Sequence, residues 1–198
     1  MNCNNTIPAK LDLTQSLETF KEIITKELLL SDVSQWDART VREREQKIRQ
    51  AGLVLAGECI ALLLHNLSQL PEAMKTAKKQ TQGWWHRHSK GNGSVERQVL
   101  CLGNVVVSLR LPYVVERSKK VHSKDRKTRG QGFCPFLRWL CMEEGITPLL
   151  WSTVAQTGTV SSSFALARSL LQNWGVRISV KRIERLTYHF NKQGLSRP

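Results

Sequence analysis

Between Ser161 and Asn191 the chain reads as a helix, a glycine corner and a second helix with one basic face, and no other stretch constrains the fold as much. Phe164, Ala167, Leu170, Leu171 and Trp174 recur at three- and four-residue steps, which predicts a first helix with one apolar stripe. Gly175 stands where such a helix stops in the left-handed conformation. Four residues on, Ser179 has the side chain to cap a second helix. On that helix Val180, Ile183, Leu186, Thr187 and Phe190 share one side. At about 100° per residue, Lys181, Arg185, Tyr188 and Lys192 fall opposite, with Arg182 and His189 flanking. Two short helices around a tight corner are the shape that offers a recognition helix to the major groove of DNA. An ordinary helical hairpin with a solvated basic face has the same local pattern.

The charge distribution bears on that choice. The 198 residues carry a formal net charge of +14, and it is uneven. Residues 1 to 70 hold 8 Lys and Arg against 9 Asp and Glu, whereas residues 71 to 198 hold 22 against 7. Positive charge concentrated on part of a chain points to a polyanion: DNA, RNA or an acidic membrane surface. An apolar content of 40% suits a globular protein with a proper core. Five cysteines (Cys3, Cys59, Cys101, Cys134, Cys141) form no C-x-x-C pair, and with no signal peptide the odd count fits a reducing, cytoplasmic setting, nucleoid-associated where DNA is bound. The most apolar window, Leu53 to Leu67, reads as too short to span a bilayer and contains Glu58, so a membrane partner is not expected.

The remaining segments fall into order around this unit. Leu11 to Leu30 is an amphipathic helix with Leu13, Leu17, Phe20, Ile24 and Leu28 on one side. Asp37 or Thr40 can cap a longer helix that reaches about Leu70 and closes an N-terminal helical region, residues 1–79. Val41, Ile48, Leu55 and Leu62 repeat every seven residues, but the companion positions are weak, so packing within the chain or a homo-oligomer without a true zipper is expected there. Residues 80–94 read as a linker whose Trp84 and Trp85, near His86, Arg87, His88 and Lys90, can stack on bases or pin the linker to a surface. Residues 95–116 form a small antiparallel sheet turned at Gly103-Asn104, with Pro112 a break or an edge.

A basic loop, residues 117–132, follows and suits phosphate contact as well as plain solvation. From 133 to 198 the punctuation is helical. One helix runs from about Pro135 to Glu144 and ends at Gly145. Another is capped by Thr147, starts at Pro148 and ends at Gly158, and the pair closed by Gly194 comes last. The fold class is therefore mainly α with a small antiparallel sheet and a helix-turn-helix-like tri-helical unit at the C-terminus.

Chemistry is sparse. Two-metal nucleases gather several carboxylates to hold divalent cations, and after residue 130 the chain has only Glu143, Glu144 and Glu184. There is no phosphate-binding G-x-x-x-x-G-K-[ST] loop and no G-x-S-x-G elbow. His86-x-His88 with Cys101, or Cys134 with Cys141, lacks a normal zinc-ligand spacing. Neither a catalytic residue nor a metal is assigned.

The succession RQVLCLGNVVVSLRLPYV, basic loop, GFCPFLRWLCMEEGITPLL and SSSFALARSLLQNWGVRISVKRIERLTYHF resembles the N-terminal portion of ISKra-type insertion-sequence transposases, a DDE group. The resemblance covers about residues 95 to 198. In that family a later nuclease domain of RNase-H-like fold carries an acidic triad that cuts and joins element ends with divalent metal. No position of this chain matches the triad, so the resemblance implies a DNA-binding front part, truncated or split before the nuclease and not catalytic alone. Duplex DNA is the expected partner. Lys181, Arg182, Arg185 and His189 would meet base edges or flanking phosphates, with Tyr188 and Lys192 on the same face. Arg182 or Arg185 suits bidentate contact with guanine. Arg117, Lys119, Lys120, Lys124, Arg126 and Lys127 would add non-specific attraction. Two other readings use the same residues: a stand-alone helix-turn-helix regulator, and a basic RNA- or single-strand-associated protein.

Overall fold

Helix punctuation and strand register together set out the fold. The structure, a computed structural model, describes residues 6–7, 13–29, 36–81, 89–116 and 132–195. The described residues form α1 (Leu13–Leu28), α2 (Ala38–Gln69), α3 (Pro71–Thr81), α4 (Pro135–Trp139), α5 (Pro148–Val160), α6 (Phe164–Asn173) and α7 (Val180–Leu195). The strands are β1 (Thr6–Ile7), β2 (Ser89–Leu100), β3 (Val106–Glu116) and β4 (Gly132–Phe133). The molecule is mainly helical with a small sheet, as the sequence predicts. Trp84, Trp85, His86, His88 and the loop cations Arg117, Lys119, Lys120, Lys124, Arg126 and Lys127 lie outside the described residues.

Asp37 starts α2 by accepting a hydrogen bond from the Thr40 backbone N–H at 2.7 Å, which satisfies one of the donors a helix start leaves open. The helix ends at Gln69, and Pro71 opens α3 where its missing N–H costs nothing. Helix α1 lies along α2, joined to it by Lys47 and Glu27 at 3.2 Å. By length and composition α2 could cross a bilayer, since its most apolar 18 residues average a hydropathy of 1.5. That corrects the expectation of too short a stretch. In the fold, its Val54, Ile60, Ala61, Leu64 and Leu67 belong to the core formed with the sheet.

The hairpin turns at Gly103 and Asn104, both at positive φ (61° and 63°), the combination that matches strand twist. Register runs from Leu100 opposite Val106 to Ser89 opposite Glu116. Two expectations change here. Strand β2 begins at Ser89, so the end of the expected linker is strand: Ser89, Lys90, Gly91 and Ser94 pair with β3, and residues 92 and 93 fall in an irregularity of the ladder. Pro112 neither breaks β3 nor ends it; it sits opposite Ser94 at an irregularity in the ladder, where a missing donor is tolerated. Strand β3 also pairs parallel with β1 at one end and antiparallel with β4 at the other.

Helix α4 is shorter than predicted. It ends at Trp139, and Cys141 takes a positive φ of 55° in the turn that follows. The Gly145–Thr147 segment then joins the sheet, with Leu100 N donating to Gly145 O and Thr147 N to Leu100 O. Helix α5 starts at Pro148 as expected, although the Thr147 side chain makes no capping bond, and it continues past Gly158 to Val160. Inside the helix, Gly158 makes room for the Thr187 hydroxyl of α7, which occupies the space a Cβ would need. Gly194 likewise lies within α7 rather than closing it.

Candidate nucleic-acid interface

The local chemistry of the last two helices follows the sequence closely. Ser163 caps α6 by accepting from Leu166 N at 3.2 Å. The helix stops through two bonds, Gly175 N to Gln172 O and Val176 N to Leu171 O, with Gly175 at φ +70°. A Cβ at Gly175 would also sit 3.1–3.2 Å from the Gln50 side chain and Gly103, a tight fit that adds to the constraint of its positive φ. Ser179 then caps α7, its hydroxyl accepting from Arg182 N at 3.3 Å.

Helix α7 buries the predicted side. Ile183, Leu186 and Thr187 are buried, and Val180 and Phe190 are half-buried. The Trp151 indole N–H donates to Leu186 O at 3.0 Å, and its ring meets Phe190 edge-on at 5.6 Å. These contacts fix the rotation of α7 on α5 and hence which side chains face out. The expected stripe of α6 is only partly used: Ala167 and Leu171 are buried and Phe164 is half-buried, whereas Leu170 and Trp174 remain exposed.

The basic face divides in two. Lys181, Tyr188 and Lys192 are exposed, and Tyr188 stands edge-on to Phe164 at 6.2 Å. Arg185 keeps 64% of its side chain exposed while its guanidinium meets Glu144 Oε2 at 3.1 Å. His189 Nδ1 lies 2.9 Å from Glu144 Oε1, a contact that needs the proton on that nitrogen. Arg182 turns inward. Its Nη2 donates to Gly145 O at 3.1 Å and to Glu144 O at 3.4 Å. Burial, with Arg185 nearby, pushes the Arg182 guanidinium below its ordinary pKa despite Glu144. The expectation that Arg182 reads guanine therefore meets a side chain already committed to backbone carbonyls.

Two residues of this face were not singled out by sequence reasoning. Arg177, in the corner before α7, is exposed, and its backbone N–H donates to Asn104 Oδ1 at 3.3 Å. A cation two residues before a helix cap was the available signal. Glu144 had no such signal, because its position against α7 depends on the turn after α4. Among the described residues, no three His, Cys, Asp or Glu side chains converge so as to hold a metal ion.

Fold and face together describe a mostly helical protein with a small sheet, whose last three helices pack together and present a cationic outer helix. Comparison with protein-family models, curated proteins and solved structures finds no match.

Proposed function

We propose that this chain binds duplex DNA through α7 and serves as the element-end-recognising front part of an insertion-sequence transposase. The observation that carries the reading is the outward row Lys181, Arg185 and Lys192 on a helix whose opposite side is buried. The resemblance of residues 95 to 198 to ISKra-type transposases supplies the biological setting, cytoplasmic and nucleoid-associated when bound. Arg185 is the candidate for base or phosphate contact, Lys181 and Lys192 flank it, and Arg177 extends the row toward the corner. The cations between Arg117 and Lys127 add long-range attraction. Strand cutting and joining would belong to a nuclease domain, and no residue of this chain is assigned to it.

Anisotropy with labelled element-end duplex over a salt series tests the reading. Affinity should fall steeply with salt, and replacing Lys181 or Lys192 by alanine should lower the slope by about 1 each. Arg185→Ala should cost about 1–3 kcal/mol and relax preference at one base pair. A flat salt response, or equal binding to single strands, overturns it. Self-association through the first half of α2 is a second, compatible reading, supported by Val41 and Ile48 at 42% and 37% exposed. Light scattering that finds monomer at every concentration removes that one.

A further inference from the structure

Glu144 is an acid set into a cationic face. Its side chain is only 19% exposed, and each carboxylate oxygen meets a different residue of α7. Arg185 and His189 stand one helical turn apart, so their nitrogens reach the same place from the same side. Behind them the Trp151 ring lies 5.8 Å from the imidazole, and Arg182 is fixed by the carbonyls of Glu144 and Gly145. Lys181 and Lys192 are exposed along the same helix, while Glu143 is turned away toward Arg138 at 2.7 Å.

Two convergent nitrogen donors facing one anion with two acceptor oxygens would suit a phosphodiester's non-bridging oxygens equally well. The present occupant is exchangeable. Arg185 touches the carboxylate through one nitrogen and keeps 64% of its side chain exposed, so water competes for its side of the contact. The backbone beneath is anchored separately, because Leu100 N donates to Gly145 O at 3.0 Å, so the Glu144 side chain can swing without moving the turn.

We propose that Arg185 and His189 form a phosphodiester subsite that Glu144 occupies in the free protein, so that the carboxylate is an internal competitor displaced by DNA. The source of the phosphodiester rests on the duplex-binding reading; the anion site itself does not. Removing the Glu144 charge should therefore strengthen binding, through Arg185.

Anisotropy with labelled duplex at about 0.1 M salt compares Glu144→Gln, Glu144→Ala, Arg185→Ala and the double variant Glu144→Gln/Arg185→Ala. Glu45→Gln, on the exposed first half of α2, controls for the change in net charge. Glu144→Gln should tighten binding about fivefold and Glu144→Ala similarly, against less than about twofold for Glu45→Gln. The gain should fall below about twofold when Arg185 is already alanine. A Glu144→Gln gain no larger than that of Glu45→Gln, or one that persists without Arg185, overturns the proposal. If no variant binds duplex, inorganic phosphate decides, read by the His189 imidazole resonances. A shift at lower phosphate concentration in Glu144→Gln than in the unsubstituted protein keeps the subsite while the DNA reading falls. No shift in either protein removes the subsite as well.

Discussion

On α7, Arg182 and Lys181 are adjacent residues with opposite tasks. Lys181 points into water, whereas Arg182 reaches back to two carbonyls in the turn before α5. Both carbonyls accept from the same nitrogen, Nη2, whose two protons serve the two acceptors at the end of a long side chain. Arg182→Ala should lower unfolding free energy by about 2 kcal/mol in a urea titration, the range for hydrogen bonds to a charged group. Lys181→Ala should stay within about 0.5 kcal/mol, and equal effects from the two would remove the strut from the account. The cysteines separate in the same residue-by-residue way. Burial pushes the Cys101 thiol up to about 12 and raises Cys134 as well, although Arg97 opposes the latter. Cys59 and Cys141 are exposed. A maleimide should therefore label Cys59 and Cys141 in the folded protein and reach Cys101 and Cys134 only after denaturation. Mass spectrometry of peptides checks this, and early labelling of Cys101 would contradict its burial.

Among the elements, α2 carries two glycines five residues apart with opposite surroundings. Gly57 faces the backbone of the hairpin turn, where the Leu102 carbonyl fills the place of a Cβ, whereas Gly52 has nothing within 4 Å. Gly52→Ala should stabilise by about 1 kcal/mol through helix propensity, and Gly57→Ala should destabilise by about 1–3 kcal/mol through overpacking. Thermal melts of the two variants that moved the same way would refute the distinction. At the start of the same helix, the Thr40 backbone N–H and hydroxyl hold the Asp37 carboxyl below its ordinary value of 3.8. A depressed folded-state pKa gives stabilisation that is complete above the unfolded value and lost as pH falls through the folded one. The protection factor of the Thr40 amide should thus begin to fall only below pH 3.8, and a fall near neutrality would contradict the cap. Elements with local signals were legible in the sequence: the Asp37 and Ser179 caps, the Gly175 stop and the Gly103-Asn104 turn. Gly158 is ambiguous in the sequence because a glycine marks either a helix end or a close approach, and only Thr187, 29 positions away, decides which. Residues 89–94 looked like a linker because their pairing partner, not their composition, makes them a strand. For the candidate site, the outward Lys181, Arg185, Tyr188 and Lys192 followed from helical periodicity, while Arg182 and Glu144 depended on the path of the turn before α5.

Across the whole molecule, the turn end of the hairpin has cores on both faces. Val99, Cys101, Val105 and Val107 belong to the cluster with α2, α3 and α4, while the alternating Leu100 and Val106 pack with α5, α6 and α7. Leu100 also carries the backbone bonds to Gly145 and Thr147, and Asn104 holds the backbone of Arg177. The basic helix is thus fixed to the same sheet that the N-terminal helices cover, and Gly175 rests on Gly103 and Gln50 where the two halves meet. This construction predicts one cooperative unit rather than a DNA-binding module on a tether. Native-state hydrogen exchange should give the Val107 amide of β3 and the Ile183 amide of α7 the same opening free energy. Leu100→Ala should lower both together by about 2–5 kcal/mol, the cost of truncating a buried leucine. An Ile183 amide that opened well below Val107, or a Leu100→Ala effect confined to α5–α7, would mean that the helical unit unfolds on its own. Equal protection would mean that the outward orientation of Arg185 and Lys181 is set by the entire fold, and that damage to α2 should weaken the proposed duplex binding without touching the basic face.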